Sequence, residues 1–167
     1  MNDENLYRLA QELGQQLQAA GLVVTTAESC TGGWVAKSIT DVAGSSGWFQ
    51  RGLVTYSNEV KSELLDVPAA VIDSCGAVSV EVVRAMAEGA LKNSSADIAV
   101  AISGVAGPDG GSVEKPVGTV CFGWSTREDK HFNSTHIANY SGDREAIRRQ
   151  SVVTALEGLI ALVSART

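Results

Sequence analysis

The fold of this chain is decided by DIAVAI, the stretch Asp97–Ile102. After its aspartate the stretch is an uninterrupted apolar run, which is typical of a strand buried on both faces of a sheet. A second short segment, Leu22–Thr26, also predicts a buried strand. Strands that are buried on both faces need helices on both sides of the sheet, so the two segments favour a layered arrangement.

Helical patterns and further strands alternate along the rest of the chain. Apolar residues recur at three- and four-residue steps between Leu6 and Ala20, and Gly21 is placed to end that helix. Further helices are predicted at 32–39, at 58–65 with Asn58 as its cap, at 80–91 capped by Ser79, and after Asp143. Further strands are predicted at Trp48–Tyr56, Val117–Ser125 and Lys130–Ile137, the last at an edge of the sheet because it is polar. The predicted fold class is α/β, a three-layer α/β/α sandwich around a central, largely parallel or mixed sheet, in one domain over residues 1–167.

Composition and charge exclude several classes of function. The chain has 167 residues, of which 44% are hydrophobic and 19% charged, which is typical of a globular protein. Thirteen Lys and Arg against 19 Asp and Glu give a net charge of −6, which disfavours nucleic acid or an anionic membrane as the main partner. A small molecule is the expected partner, and a homo-oligomer is compatible with the sequence.

Cysteine usage and the amino terminus indicate the compartment. Cys30, Cys75 and Cys121 form no CxxC pair, so neither a disulfide framework nor a zinc site is expected. The first residues lack the basic patch and apolar run of a signal peptide, and no stretch approaches the ~20 apolar residues of a membrane span. We therefore expect a cytoplasmic protein.

The first candidate site is TAESCTGG, residues Thr26–Gly33, at the junction of a predicted strand and a predicted helix. Ligands of open α/β sheets bind at the carboxyl ends of strands, where a helix start offers unpaired backbone N–H groups to an anion. Ser29 could act there as a nucleophile while the amides of residues 30–33 stabilise the oxyanion. The alternative is that Ser29 or Thr31 only caps the helix.

A nucleophilic serine requires a base. Histidine is the usual one, but the chain has only His131 and His136, in or beside a polar strand with no carboxylate at a suggestive spacing. Lysine can replace histidine where its surroundings lower its pKa enough to give a neutral amine. Lys61 follows Tyr56 by five residues, across a strand end and a helix start, so both side chains can turn toward the same edge. Lys61 fits an ordinary solvated helix face equally well.

Cys30 is the rival nucleophile, because the dipole of the same helix would activate a thiolate. Ser29 and Cys30 are adjacent and cannot both point into one pocket. Most cysteines in such positions are small buried hydrophobes, and Cys30 has no credible histidine partner. The sequence therefore favours Ser29.

Two further segments are candidate binding elements. The glycine-rich stretch Ser103–Gly111 follows the most buried strand, and glycines there allow the backbone to approach a ligand, although a surface turn would look the same. Arg144 and Arg148 lie one turn apart on one helix face, a basic patch suited to a phosphate or carboxylate, although solvated helix charges are the simpler reading. The candidate substrate-binding residues are Cys30, Thr31, Gly32, Gly33, Gly104, Gly107, Arg144 and Arg148.

Four motifs occur in order over nearly the whole chain: TAESCTGG at 26–33, VTYSNEVK at 54–61, SGVAGPDGG at 103–111 and KPVGT at 115–119. Together they resemble the carboxy-terminal domain of the competence-damage-inducible protein CinA. Four ordered motifs are far more specific than any one of them.

The resemblance implies an activity, because stand-alone members of that family are nicotinamide-nucleotide amidases. It implies hydrolysis of the carboxamide of nicotinamide mononucleotide to nicotinic acid mononucleotide and ammonia in pyridine-nucleotide salvage. It also implies Ser29 as the nucleophile, Lys61 as its base, Tyr56 in the same catalytic cluster, and neither metal nor cofactor. The substrate's 5′-phosphate needs a cationic contact, for which Arg144 and Arg148 are our candidates.

A second reading assigns the chain to a different class. In that reading it is a non-catalytic nucleotide-binding or competence-related interaction module, in which the glycine-rich loops hold a ligand and Ser29 only caps a helix. Release of ammonia from nicotinamide mononucleotide separates the two readings.

Overall fold

The computed structural model of the chain describes residues 3–128 and 133–166. Within these ranges its elements are α1 (Asp3–Ala20), β1 (Val24–Glu28), α2 (Trp34–Thr40), β2 (Phe49–Val54), α3 (Asn58–Leu65), α4 (Ala69–Cys75), α5 (Val80–Lys92), β3 (Ile98–Gly104), β4 (Thr119–Thr126), β5 (Ser134–Asn139) and α6 (Arg144–Ser164). A short 3-10 turn, Ser45–Gly47, precedes β2.

The five strands form one mixed sheet in the order β2-β1-β3-β4-β5. Strand β1 runs parallel to β2 and β3, while β4 is antiparallel to β3 and to β5. Glu28, the last residue of β1, pairs with Val54 on one side and Ile102 on the other. The carboxyl ends of β1, β2 and β3 therefore meet at one edge, which is where ligands bind in sheets of this kind.

Helices cover both faces of the sheet, which confirms the predicted three-layer sandwich. Helices α1, α2 and α6 pack on one face through a core that includes Leu13, Val100 and Leu156. Helices α3, α4 and α5 cover the other face, where the sheet presents small residues. A Cβ at Gly123 would lie 2.6 Å from a carbonyl oxygen of α5, so α5 can pack this closely only against glycine.

Several predicted boundaries are wrong in detail. Strand β1 begins two residues later than predicted, because the N–H of Leu22 still bonds to the end of α1 and that of Val23 bonds to the Asp97 carboxylate. Ser57, not Asn58, caps α3, since its hydroxyl accepts from the N–H of Val60 at 3.3 Å.

Two predicted helix caps are confirmed, whereas one helix and the bounds of the last strand differ from the prediction. The caps Ser79 and Asp143 are confirmed, and helix α4 was not predicted. The start of the predicted strand Lys130–Ile137 lies outside the described residues, and the described strand is β5. No helix in the described ranges is both long and apolar enough to cross a bilayer.

Candidate active site

A cleft of about 230 Å³ opens at the edge where β1, β2 and β3 end. It is lined by Ser29, Cys30, Tyr56, Asn58, Lys61, Ala77, Val78, Ser103, Gly104, Ala106 and Arg144. A larger cavity of about 500 Å³ lies around α4 and α5, but its lining contains no serine and its one lysine, Lys92, is paired with Asp66 at 2.8 Å. The smaller cleft is therefore the candidate site.

Ser29 and Lys61 meet at the floor of this cleft. The Lys61 Nζ atom lies 3.3 Å from the Ser29 Oγ atom, although the two residues are 32 positions apart in the chain. Ser29 follows β1 directly, and Lys61 reaches it from the first turns of α3. Lys61 is only 1% exposed, which excludes the alternative of a solvated helix lysine.

Backbone carbonyls surround the amine of Lys61. The Nζ atom lies 2.9 Å from the carbonyl oxygen of Thr55, 3.3 Å from that of Tyr56 and 3.5 Å from that of Ser57. Burial lowers the pKa of Lys61 below its ordinary value, because an ammonium group loses hydration there. A neutral amine can donate its two N–H bonds to carbonyls and keep its lone pair for the hydroxyl of Ser29.

Cys30 lies beside this pair but has the wrong protonation state for a nucleophile. It is 6% exposed and packs in the core beneath α6. Burial and, to a smaller extent, the nearby Glu28 carboxylate raise the pKa of the Cys30 thiol to about 12. A thiol with this pKa is protonated at neutral pH, whereas thiolate is the reactive form.

Glu28 occupies the start of helix α2. Its fully buried carboxylate accepts hydrogen bonds from the N–H groups of Gly33 and Val35 at 3.0 Å and of Ala36 at 2.9 Å. Gly33 is the residue before the helix, and no side-chain hydroxyl caps it, so the expectation that Ser29 or Thr31 caps α2 is wrong. The first N–H groups of α2 are therefore bonded to the carboxylate of Glu28 and not to a ligand.

The two candidate arginines of α6 have different surroundings. Arg144 is exposed and lines the cleft, where it donates to the Gly107 carbonyl at 2.7 Å and to the Tyr56 hydroxyl at 3.1 Å. Arg148 does not line the cleft, and it donates to the carbonyls of residues 30 and 31 at 3.0 and 2.8 Å.

The glycines that the sequence analysis predicted as binding residues also differ in whether they line the cleft. Gly104 ends β3 in the wall of the cleft, and a Cβ there would lie 2.8 Å from a Val120 methyl group. Gly107 has a φ of 72° and touches the site only through its bond to Arg144. Gly32 and Gly33 also have positive φ, and neither lines the cleft. Thr31, another predicted binding residue, is fully buried and does not line the cleft either.

Three polar residues at or beside the site were not predicted as site residues. Asn58 and Ser103 line the cleft, and Ser103 donates to the carbonyl of Ala77 at 2.7 Å. Glu28 lies outside the cleft but fixes the segment that carries Ser29. An acidic residue just before a glycine-initiated helix was the available signal for Glu28. In the described part of the chain, no group of three or more His, Cys, Asp or Glu is placed to hold a metal ion.

The chain is similar in sequence to a known protein family. The family model described as CinA C-terminal domain matches residues 6–163. The chain is 56% identical over 159 residues to "Nicotinamide-nucleotide amidohydrolase PncC" of Escherichia coli, with 95% of each chain covered. It is 53% identical over 154 residues to the protein of that name from Pseudomonas putida, covering 92% of this chain and 94% of the relative.

Solved structures share the fold. The competence/damage inducible protein CihA from Agrobacterium tumefaciens superimposes with a TM-score of 0.91 at 44% identity, over 95% of each chain. A CinA superfamily protein from Klebsiella pneumoniae superimposes with a TM-score of 0.91 at 36% identity, over 99% of each chain.

Proposed function

Because this chain belongs to the CinA C-terminal domain family, we propose that it hydrolyses the carboxamide of nicotinamide mononucleotide to nicotinic acid mononucleotide and ammonia. The observation that carries the proposal is the buried contact of 3.3 Å between Lys61 Nζ and Ser29 Oγ at the floor of a cleft. The names of the relatives with 56% and 53% identity supply the substrate.

The first half of the reaction acylates Ser29. The Oγ atom attacks the carboxamide carbon while its proton moves to the lone pair of Lys61 Nζ. The C–O bond forms, and the carbonyl electron pair moves onto oxygen to give a tetrahedral oxyanion. When the oxyanion collapses, the C–N bond breaks and the nitrogen leaves as ammonia with the proton that Lys61 had accepted.

The second half regenerates the enzyme. A water molecule takes the place of ammonia and gives a proton to Lys61 as it attacks the acyl carbon. Collapse of the second tetrahedral intermediate breaks the bond to Ser29 Oγ, which recovers its proton from Lys61. One amine thus serves as base and acid in both halves, which suits a site without a histidine in its lining.

The substrate itself favours the neutral form of Lys61. Its pyridinium ring is cationic and would repel an ammonium group nearby, in addition to the burial that already lowers the pKa of Lys61. A neutral Lys61 is therefore the form that is compatible with a cationic substrate.

The cleft fits the reacting end of the nucleotide rather than the whole of it. Its volume of about 230 Å³ is smaller than the ~300 Å³ at which pockets for drug-sized ligands begin. The ring and carboxamide fill the cleft in this proposal, and the ribose phosphate extends past the rim. Arg144 is exposed at that rim and is our candidate for the phosphate contact.

The test is release of ammonia from nicotinamide mononucleotide by the purified chain. We expect turnover by the unaltered protein and none by Ser29→Ala. Binding of the nucleotide without release of ammonia would instead identify a non-catalytic nucleotide-binding module.

A further inference from the structure

The serine turn, residues 29–33, contains backbone N–H groups with an acceptor and others without one. The N–H of Ser29 donates to Ile102, that of Gly32 donates to Ser29, and that of Gly33 donates to the Glu28 carboxylate, each at 3.0 Å. Within the described residues, the N–H groups of Cys30 and Thr31 have no acceptor on another residue.

Two adjacent donors without an acceptor are costly in a buried segment. Thr31 is fully buried, and its Oγ1 atom also lacks a hydrogen-bond partner. Burying a donor that is left unpaired is unfavourable, so such groups call for an explanation. Donors directly after a nucleophilic serine are placed to bind the oxyanion that the serine generates.

Arg148 holds the carbonyl side of the same turn. Its Nε atom donates to the Cys30 carbonyl at 3.0 Å, and its Nη2 atom donates to the Thr31 carbonyl at 2.8 Å. In a trans peptide the C=O and N–H bonds point in opposite directions. The Cys30 carbonyl held by Arg148 therefore turns the N–H of Thr31 away from α6.

The preceding peptide is fixed by the turn itself. The carbonyl of Ser29 accepts the N–H of Gly32, so the N–H of Cys30 points away from Gly32. Gly32 has a φ of 62°, which favours glycine, and a Cβ there would lie 3.5 Å from the guanidinium of Arg148. The two hydrogen bonds from Arg148 therefore stabilise a turn conformation that favours glycine at position 32.

We propose that Arg148 is a positioning residue: by holding the carbonyls of Cys30 and Thr31, it fixes the serine turn so that the N–H of Cys30, which lines the cleft, is presented to the oxyanion. This role rests on the proposed function and differs from the phosphate contact that the sequence suggested for Arg148. Arg144 is then the one of the two arginines that we expect to contact the phosphate.

The next residue in the chain offers a matched control. The Cζ atom of Arg149 lies 4.9 Å from the centroid of the Trp34 ring, and the Cζ atom of Arg148 lies 5.3 Å from it. The hydrogen bonds of Arg149 go to the exposed carboxylates of Asp3 and Glu145 and not to the serine turn. Replacing either arginine with methionine removes a charge and a contact with Trp34, but only one replacement releases the turn.

The first experiment measures kcat and KM with nicotinamide mononucleotide and with nicotinamide riboside, which lacks the phosphate. We expect Arg148→Met to lower kcat about 100-fold, the effect of losing one oxyanion donor, by the same factor for both substrates and with KM little changed. Arg149→Met should retain the kcat of the unaltered chain. A rise in KM confined to the nucleotide, or an unchanged kcat in Arg148→Met, would overturn the proposal.

A second variant covers the case in which Arg148→Met does not fold. Arg148→Lys keeps the charge and the aliphatic stem but lacks the fork that reaches two carbonyls. We expect a lower kcat with KM unchanged, and a kcat equal to that of the unaltered chain would contradict the proposal.

A binding measurement tests the same role without turnover. Pyridine-3-boronic acid can form a bond from boron to Ser29 Oγ, with the serine proton passing to Lys61 and the negative charge resting on the tetrahedral boronate. We expect calorimetry to show at least about tenfold weaker binding in Arg148→Met and unchanged binding in Arg149→Met, since the boronate mimics the oxyanion intermediate. Equal affinities would refute the positioning role, whereas absence of turnover in the unaltered chain would refute the proposed function.

Discussion

The floor and the rim of the cleft differ in burial and in how their groups are held. At the floor, Ser29 is 8% exposed and Lys61 is 1% exposed, and backbone groups hold both. At the rim, Tyr56 is 61% exposed and is linked to Arg144, which is also exposed, by one hydrogen bond. The floor has the fixed geometry that bond making requires, and the rim has the adaptable charge that suits recognition of the part of a substrate that does not react.

This difference predicts which kinetic constant each region controls. Groups at the floor act on the transition state, so their loss should lower kcat. Groups at the rim contact the substrate before and during the reaction alike, so their loss should raise KM.

The largest effect is expected at Ser29. Ser29→Ala should lower kcat on the order of 10⁶-fold, as loss of a nucleophile does elsewhere. It should cost only about 1 kcal/mol of stability, because among the described residues the hydroxyl makes one hydrogen bond, with Lys61. Steady-state kinetics and thermal unfolding measure the two quantities.

Cys30→Ala is the control for that variant. The Cys30 thiol is protonated at neutral pH because burial raises its pKa to about 12, so the variant should remain active. If Cys30→Ala were inactive and Ser29→Ala active, the thiol would be the nucleophile.

The next largest effect is expected at Lys61. Arginine keeps the charge but cannot give up a proton, so Lys61→Arg should be nearly as inactive as Lys61→Ala, with kcat lowered on the order of 10²- to 10⁴-fold. Full activity in Lys61→Arg would show that position 61 supplies only charge.

The pH dependence of kcat/KM follows from the same residue. The neutral amine is the active form, so kcat/KM of the unaltered chain should rise with pH through the pKa of Lys61 and level off above it. Burial lowers that pKa from its ordinary value of 10.5, so the midpoint of the rise should lie below 10.5. A rise centred at or above 10.5 would show that Lys61 is not the titrating base.

A smaller effect is expected at Arg144. Arg144→Gln should raise KM for nicotinamide mononucleotide about tenfold, the equivalent of 1.4 kcal/mol, and leave KM for nicotinamide riboside unchanged. An unchanged preference for the nucleotide would move the phosphate contact elsewhere, most directly to the glycine-rich loop at 107–112.

The smallest effect is expected at Tyr56. Its carbonyl contacts Lys61 and its hydroxyl contacts only Arg144 among the described residues, so Tyr56→Phe keeps the contact at the floor. We expect a change in KM of less than about fivefold, as for an exposed polar contact. A large loss of kcat would place the phenol itself in the catalytic step.

The fold could be predicted because the buried positions of helices and strands carry apolar residues at a regular spacing in the sequence. The apolar run at 97–102 and the helix patterns on either side of it required two covering layers, and both are present. The start of β1 was predicted two residues too early, because the Asp97 carboxylate bonds to the backbone at residue 23. That contact spans 74 residues, and no local pattern records it.

The site could be predicted only in part. The spacing from Tyr56 allows Lys61 to face the edge of the sheet, but whether a helix lysine is buried depends on the strand ends around it. Likewise, the one-turn spacing of Arg144 and Arg148 showed that they share a helix face and not that one reaches the cleft while the other holds the serine turn. Distant contacts of this kind come only from the folded chain.

The central claim is that Ser29 carries the acyl group, and acid quenching during turnover of nicotinamide mononucleotide tests it directly. Digestion and mass spectrometry should find the nicotinic acid mononucleotide acyl group on the peptide that contains Ser29, in the unaltered chain and in Cys30→Ala but not in Ser29→Ala. The same adduct on the thiol of Cys30, or its persistence in Ser29→Ala, would contradict the account.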